Sequence, residues 1–168
     1  ASSGNSIAYT SPSINGFTVK ATRGFDNGTN DATNSVAVKG SVMGVGLAAG
    51  VSQINYKTNA TDNADVDPNF FTASYSIAGL NLGYAMYDSD NASTNGEETQ
   101  MGVGTSLMGM GVGVTFAEVD TSTVDTDLML VSVSKSMGAA SFGIDYLETD
   151  ASNAAATDTI AFTYVVGF

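Results

Sequence analysis

The sequence predicts an all-β chain, an antiparallel up-and-down β-barrel that crosses a membrane. Three observations predict it. Segment after segment alternates with period two, the alternating faces are large and apolar on one side and small on the other, and the connections alternate between short and long.

Along the chain the first apolar alternation is Ile7 and Tyr9, followed by Phe17, Val19 and Ala21, then Val36 and Val38. Val45, Leu47, Ala49 and Val51 come next. Phe71, Ala73, Tyr75 and Ile77 alternate with Thr72, Ser74 and Ser76, and Leu80, Leu82, Tyr84 and Met86 with Asn81, Gly83 and Ala85. Met101, Val103 and Leu107 stand against Gln100, Gly102, Gly104 and Ser106, and Met110, Val112, Val114 and Phe116 against Gly111, Gly113 and Thr115. Between Leu128 and Lys135 the phase is ambiguous, because Leu128 and Leu130 contradict Met129, Val131 and Val133. Ala140, Phe142, Ile144 and Tyr146 restore it, and the last segment places Ile160, Phe162, Tyr164, Val166 and Phe168 on one face. Successive side chains of a strand point to opposite faces, so each run reads as a two-faced strand. The count is about eleven, most about ten residues long, the length a tilted strand needs to cross a bilayer.

Short turns fall near Ser11–Asn15, Ser41–Gly44, Ala78–Gly79, Met108–Gly109 and Met137–Ala139. Long polar connections fall near Asp26–Asn34, Lys57–Pro68, Asp88–Glu97, Glu118–Asp127 and Thr149–Asp158. That rhythm is the one of outer-membrane barrels, with tight turns at the periplasmic rim and longer loops outside. With Phe168 placed at the periplasmic side, every long connection lands outside. Aromatic residues gather near strand ends, Phe25, Tyr56, Phe70, Phe71, Phe116 and Tyr146 towards the loops and Phe17, Phe142 and Phe168 towards the turns. Amphipathic rings settle at membrane–water interfaces, so two girdles are expected.

Composition narrows the classes. Hydrophobic residues make up 43% of 168, yet the longest apolar stretch, Val42 to Val51, is broken by Gly44, Gly46 and Gly50, so no helical span of ~20 residues exists. Charged residues are 13%, glycine is abundant (19) and proline rare (2), a strand-and-turn vocabulary. A net charge of −12 argues against a nucleic-acid partner. Cysteine and histidine are both absent, which removes Ser-His-Asp, Cys-His and conventional zinc chemistry, so no enzyme is expected. No leader is visible ahead of Ala1, so the chain reads as mature, processed or incomplete at its start.

Alternating strands also build soluble sandwiches. There the large side chains would turn inward and the opposite faces would carry Lys, Glu and Arg. These faces carry Gly, Ala, Ser and Thr instead, which suits the lining of a water-filled space. The competing reading is a soluble repetitive β-protein, a surface adhesin or structural module.

Charge is placed unevenly. Asp62, Asp65 and Asp67 share one connection, Asp88, Asp90, Glu97 and Glu98 the next, and Asp120, Asp125 and Asp127 another. Three readings fit: solvated loops, a negative vestibule favouring cations, or carboxylates that hold Ca²⁺ or Mg²⁺ and bridge to lipopolysaccharide phosphates. Asp62, Asp65 and Asp67 are rich in oxygen but lack the glycine and distant Glu of an EF-hand loop, so they are weak metal candidates, and no other cofactor is expected. Lys20 and Lys39 share the phase of Thr22 and Ala37 and should point into the lumen, as should Asp145. A lysine facing lipid at mid-membrane would cost about 2–4 kcal/mol, which supports that side. Arg23 has the lipid-facing phase but lies near the loop end, where it could meet lipid phosphates. Lys135, near the turn rim, could extend its ammonium to the interface.

Asn5-Ser6-Ile7-Ala8-Tyr9-Thr10-Ser11-Pro12-Ser13-Ile14-Asn15-Gly16-Phe17 resembles the stretch of Gram-negative general porins that follows their constriction loop. The C-terminal Tyr164-Val165-Val166-Gly167-Phe168 resembles the family's assembly signal with its final aromatic, which points to Tyr164 and Phe168. With the strand-loop rhythm the likeness covers nearly the whole chain. It implies an integral outer-membrane channel for passive diffusion of small hydrophilic solutes and ions, a homotrimer in contact with lipopolysaccharide. Such porins have about 16 strands, and the stretch after the constriction loop begins near the sixth. Residues 1–168 are therefore expected to be the C-terminal part of such a barrel, with the earlier strands and the constriction loop outside this sequence. A complete barrel of about ten or twelve strands stays open if one segment is miscounted.

Overall fold

The computed structural model describes residues 5–25, 30–56, 67–90 and 96–166. They hold eleven strands and no helix: β1 (Ser6–Thr10), β2 (Thr18–Gly24), β3 (Asn30–Val42), β4 (Val45–Tyr56), β5 (Asp67–Ile77), β6 (Leu80–Asp90), β7 (Gly96–Leu107), β8 (Met110–Thr121), β9 (Asp125–Met137), β10 (Ala140–Ala151) and β11 (Thr157–Val166). The strands join one sheet in chain order. The chain divides into two compact units, one running to Ala73 and taking in Met86–Glu97, the other holding Ser74–Ala85 and everything from Glu98 on. Each is described separately.

Two-residue hairpins explain why neighbours pair. At Met43-Gly44 both residues have positive φ, 52° and 83°, and Ala78-Gly79 and Met108-Gly109 repeat that geometry. This is the type I′ turn, whose twist matches that of the strands it joins. Asn15-Gly16 forms the same turn, closed by Ile14 N–H donating to Phe17 O at 2.8 Å and Phe17 N–H to Ile14 O at 2.9 Å. Placing Met or Ala at the first position costs steric energy, roughly 1–2 kcal/mol for a left-handed L-residue. Met43 is 96% exposed at its turn tip.

In the first unit the register fixes the faces. Antiparallel partners directly opposite each other share a face. Ala8 stands opposite Thr22, Thr10 opposite Lys20, Lys20 opposite Ala37, and Ala37 opposite Gly50. The other face runs Tyr9–Ala21–Val36–Val51, with Val19–Val38–Ala49 beside it. In the second unit, Gly113–Ser132–Asp145–Ala161 lies on one face and Val114–Val131–Tyr146–Ile160 on the other.

The same register resolves the ambiguous segment. Met129, Val131 and Val133 take the large apolar face, while Leu130 lies on the small-residue face between Thr115 and Leu147. The strands also run further than the sequence suggests. Of the polar stretch 118–127, only 122–124 lie between β8 and β9, and of 149–158 only 152–156 lie between β10 and β11. Cross-strand hydrogen bonding carries the ladder past the apolar band, where polarity alone reads as loop. The connections 26–29, 57–66 and 91–95 lie outside the described residues.

Among the described residues no side chain is buried, apolar or polar. A soluble domain of this length would hide a core between layers. Here Phe162 is 77% exposed and Tyr164 68%, on a face continuous with Phe142, Ile144 and Tyr146. Contiguous apolar surface of that kind needs a non-aqueous neighbour.

Candidate pore-lining face

The small-residue face of β2 and β3 is built from Thr, Ala, Ser and Gly, and Lys20 and Lys39 rise from it. Lys20 has Thr10 and Ala37 as direct cross-strand neighbours, and Lys39 has Thr18 and Ala48. Because Thr18 and Ala37 each flank both lysines, the two are diagonal neighbours, roughly 7–8 Å apart with their Cβ atoms somewhat closer. Both are exposed, and no carboxylate stands directly opposite either. The sequence placed the two on one face, and the register adds that they are adjacent.

Asp145 lies on the small-residue face of β10, between Ser132 and Ala161. Arg23 lies on the opposite face of the first unit, between Ile7 and Asn34 at the loop end. Lys135 stands on the apolar face of the second unit between Met110 and Phe142, near the turn end. Tyr164 shares the large apolar face with Phe142, while Phe168 lies outside the described residues. So do Asp62 and Asp65; Asp67 is exposed at the start of β5 and helps to line a groove of about 360 Å³ with Asn34, Gln53 and Asn69. Among the described residues no three acidic side chains converge as metal ligands.

One residue on the small-residue face was missed. Phe70 is counted from sequence with the girdle aromatics, but its ring lies over Gly50: a Cβ built there would stand 3.0 Å from Phe70 Cζ and 3.0 Å from Ala37 Cβ. Gly50 and Ala37 share the face of Lys20 and Lys39. The signal was present, because adjacent aromatics in a strand, Phe70 and Phe71, must face opposite ways.

Several acidic side chains lie within the strand ladder and not in the connections. Glu118, Asp127 and Asp150 stand directly opposite one another across β8, β9 and β10, and one step towards the turns come Phe116, Met129, Glu148 and Asp158. These lie on the large apolar face, just beyond its hydrophobic band. The Tyr146 hydroxyl reaches Asp158 and Glu148. A groove of about 400 Å³ opens here, lined by Met101, Phe116 and Met129 and by Glu118, Asp127, Glu148 and Asp150.

A single-layer antiparallel sheet with an exposed apolar face and a small, polar face defines the wall of a transmembrane β-barrel. Residues 1–168 match the Gram-negative porin family throughout, and the chain belongs to that family. Such proteins reside in the outer membrane. Among solved structures, a loop L8 deletion mutant of OmpT, an outer membrane protein of Vibrio cholerae, superposes with a TM-score of 0.66 at 18% identity, covering 94% of this chain and 60% of that one. The anion-selective porin from Comamonas acidovorans gives 0.72 at 16%, covering 86% and 48%. OccAB4 of Acinetobacter baumannii gives 0.70 at 7%, covering 95% and 51%. The chain thus spans about half to three fifths of these proteins, and at such identities the likeness shows the fold. A comparison with curated proteins gives no match.

Proposed function

We propose that this chain forms wall of a water-filled channel through which small hydrophilic solutes and ions diffuse passively across the outer membrane. The observation that carries the reading is the inverted sheet, with large apolar side chains outward and small or polar ones, including Lys20, Lys39 and Asp145, on the other face. A water-filled lumen needs that polarity, and a soluble β-protein the reverse. No chemical step is assigned to any residue, so the protein is read as a channel and not as an enzyme.

Open strand edges leave backbone groups unpaired, which hydrocarbon does not tolerate. The outer edges of β1 and β11 are accordingly assigned to pairing with further strands, in a wall of about 16 that also holds the constriction loop. Three copies assemble, with the two-residue turns periplasmic and the longer connections extracellular; one neighbour, OmpT of Vibrio cholerae, is described in a trimer form. Arg23 meets lipid phosphates at the outer rim, and Ca²⁺ or Mg²⁺ links the loop-end carboxylates to lipopolysaccharide. Tyr164 and Phe168 serve as the assembly signal.

Planar-bilayer recording of the full-length protein tests the reading. Stepwise conductance in groups of three is expected, together with heat-modifiable migration on a gel. A folded, heat-modifiable protein that conducts nothing would overturn it.

A further inference from the structure

The lumen-side face of the first unit holds more than two lysines. Phe70 reaches across from β5 and occupies the space above Gly50 and beside Ala37. Ala37 is the direct cross-strand partner of both Gly50 and Lys20, and Lys39 is its neighbour two residues along β3. Lys20, Ala37 and Gly50 form one transverse row, so from Lys20 to the backbone beneath the ring is two strand spacings, roughly 10 Å. Both ammonium groups hang on flexible four-carbon stems that can shorten that span. Phe70 is 37% exposed, so part of its ring is open to whatever fills the space above the sheet.

We infer that Phe70, Lys20 and Lys39 form a subsite for small planar aromatic anions, of the class of aromatic carboxylates. The inference rests on the channel reading above and adds a solute class to it. The chemistry is divided between the parts. The lysines supply positive charge where no direct cross-strand neighbour is acidic, so that charge is available to a passing anion. The ring supplies an apolar surface that rewards a flat, apolar body and gives nothing to a small hydrated anion such as acetate. Gly50 is what admits the ring, because any side chain there would occupy its place. Both interactions are shallow and open, so a solute is held briefly and released, as conduction requires.

The test uses the full-length protein in planar bilayers, with sodium benzoate, sodium acetate and sodium cyclohexanecarboxylate each added to a chloride solution. Benzoate should lower the unitary chloride current at a concentration roughly two- to tenfold below that needed for the other two, the range that aromatic contacts carry. Phe70→Leu keeps most of the volume over Gly50 and should abolish the difference between benzoate and cyclohexanecarboxylate, whereas Phe70→Trp should keep it. The Lys20→Gln and Lys39→Gln double variant should weaken the action of all three anions together. Equal action of benzoate and acetate on the wild-type channel, or an unchanged benzoate preference in Phe70→Leu, would overturn the subsite while leaving the channel intact. Absence of any conductance from folded protein would overturn both.

Discussion

Strands β1–β4 and β8–β11 obey one rule of alternation and carry opposite charge. In the first set the small-residue face bears Lys20 and Lys39, and the loop end of the apolar face bears Arg23 beside Asn34. In the second set Asp145 is the charged residue amid the small-residue face, Leu130 stands opposite Leu147, and the loop end of the apolar face carries the row Glu118–Asp127–Asp150. The difference shows what holds such a sheet together. Which face is apolar is fixed by a backbone period of two, and a one-residue slip would turn every large side chain to the wrong side. Charge is a second layer of information, written where water reaches, and it can change sign between regions without disturbing the strands.

The largest expected effect attacks the feature the two regions share. Val131→Arg puts a cation at mid-strand on the apolar face between Val114 and Tyr146, whereas Ser132→Arg, one residue on, puts it on the face of Gly113 and Asp145. Reversible denaturation in lipid vesicles should show Val131→Arg destabilised by about 2–4 kcal/mol, with Ser132→Arg affected far less. Val36→Arg and Ser35→Arg should reproduce the gap in the other region. Equal costs for the two members of either pair would remove the face assignment on which the channel reading stands.

A smaller effect separates the regions by packing. A Cβ at Gly40 would lie 2.7 Å from the Gly16 carbonyl oxygen and would also meet the Phe17 ring. At Gly143 the nearest atoms are Val133 O at 3.7 Å and Thr163 Cβ at 3.9 Å, ordinary contact. Gly40→Ala should therefore cost about 1–3 kcal/mol, the usual penalty of overpacking, and Gly143→Ala close to nothing. Adding Phe17→Ala should recover only part of the loss at Gly40, since the backbone carbonyl stays in place. Full recovery would show that the ring alone sets the fit.

The order, number and facing of the strands were legible in the sequence because side-chain period and strand period are the same quantity. Where the reading failed, a second determinant acted. Leu128 and Leu130 broke the phase because the small-residue face can hold a large residue where one neighbouring strand offers a small partner, here Ala117 and Thr115 on β8, even with Leu147 beside Leu130 on β10. The ends of β8 to β11 were read as loop because Glu118, Asp127, Asp150 and Asp158 are polar, yet cross-strand partners keep them in the ladder. Lys20 and Lys39 could be put on one face from phase alone, but their adjacency needed the register of β2 on β3, which pairs Lys20 with Ala37 and Thr18 with Lys39. Phe70 was the clearest loss. Its doublet with Phe71 requires one ring to take the small-residue face, while the glycine that receives it lies in the preceding strand, twenty residues earlier in sequence.

The smallest expected effect concerns the acidic row. Like charges directly opposite each other across strands destabilise a sheet, and Asp127 has Glu118 on one side and Asp150 on the other. Asp127→Asn removes both repulsions while keeping the side-chain shape. The temperature of heat modification should rise, by an amount of the order of 1 °C, when measured at low salt. At 1 M salt, where the screening length falls to about 3 Å, wild type and variant should coincide. Arg23→Gln provides the contrast, because Ile7 and Asn34 flank Arg23 and no like charge is relieved, so its transition should not rise at either salt concentration. A rise in Asp127→Asn that persists undiminished in 1 M salt would mean that the gain comes from packing or solvation. The acidic row would then be electrostatically settled in the native wall, and the charge contrast between the two regions would carry no energetic cost for the fold.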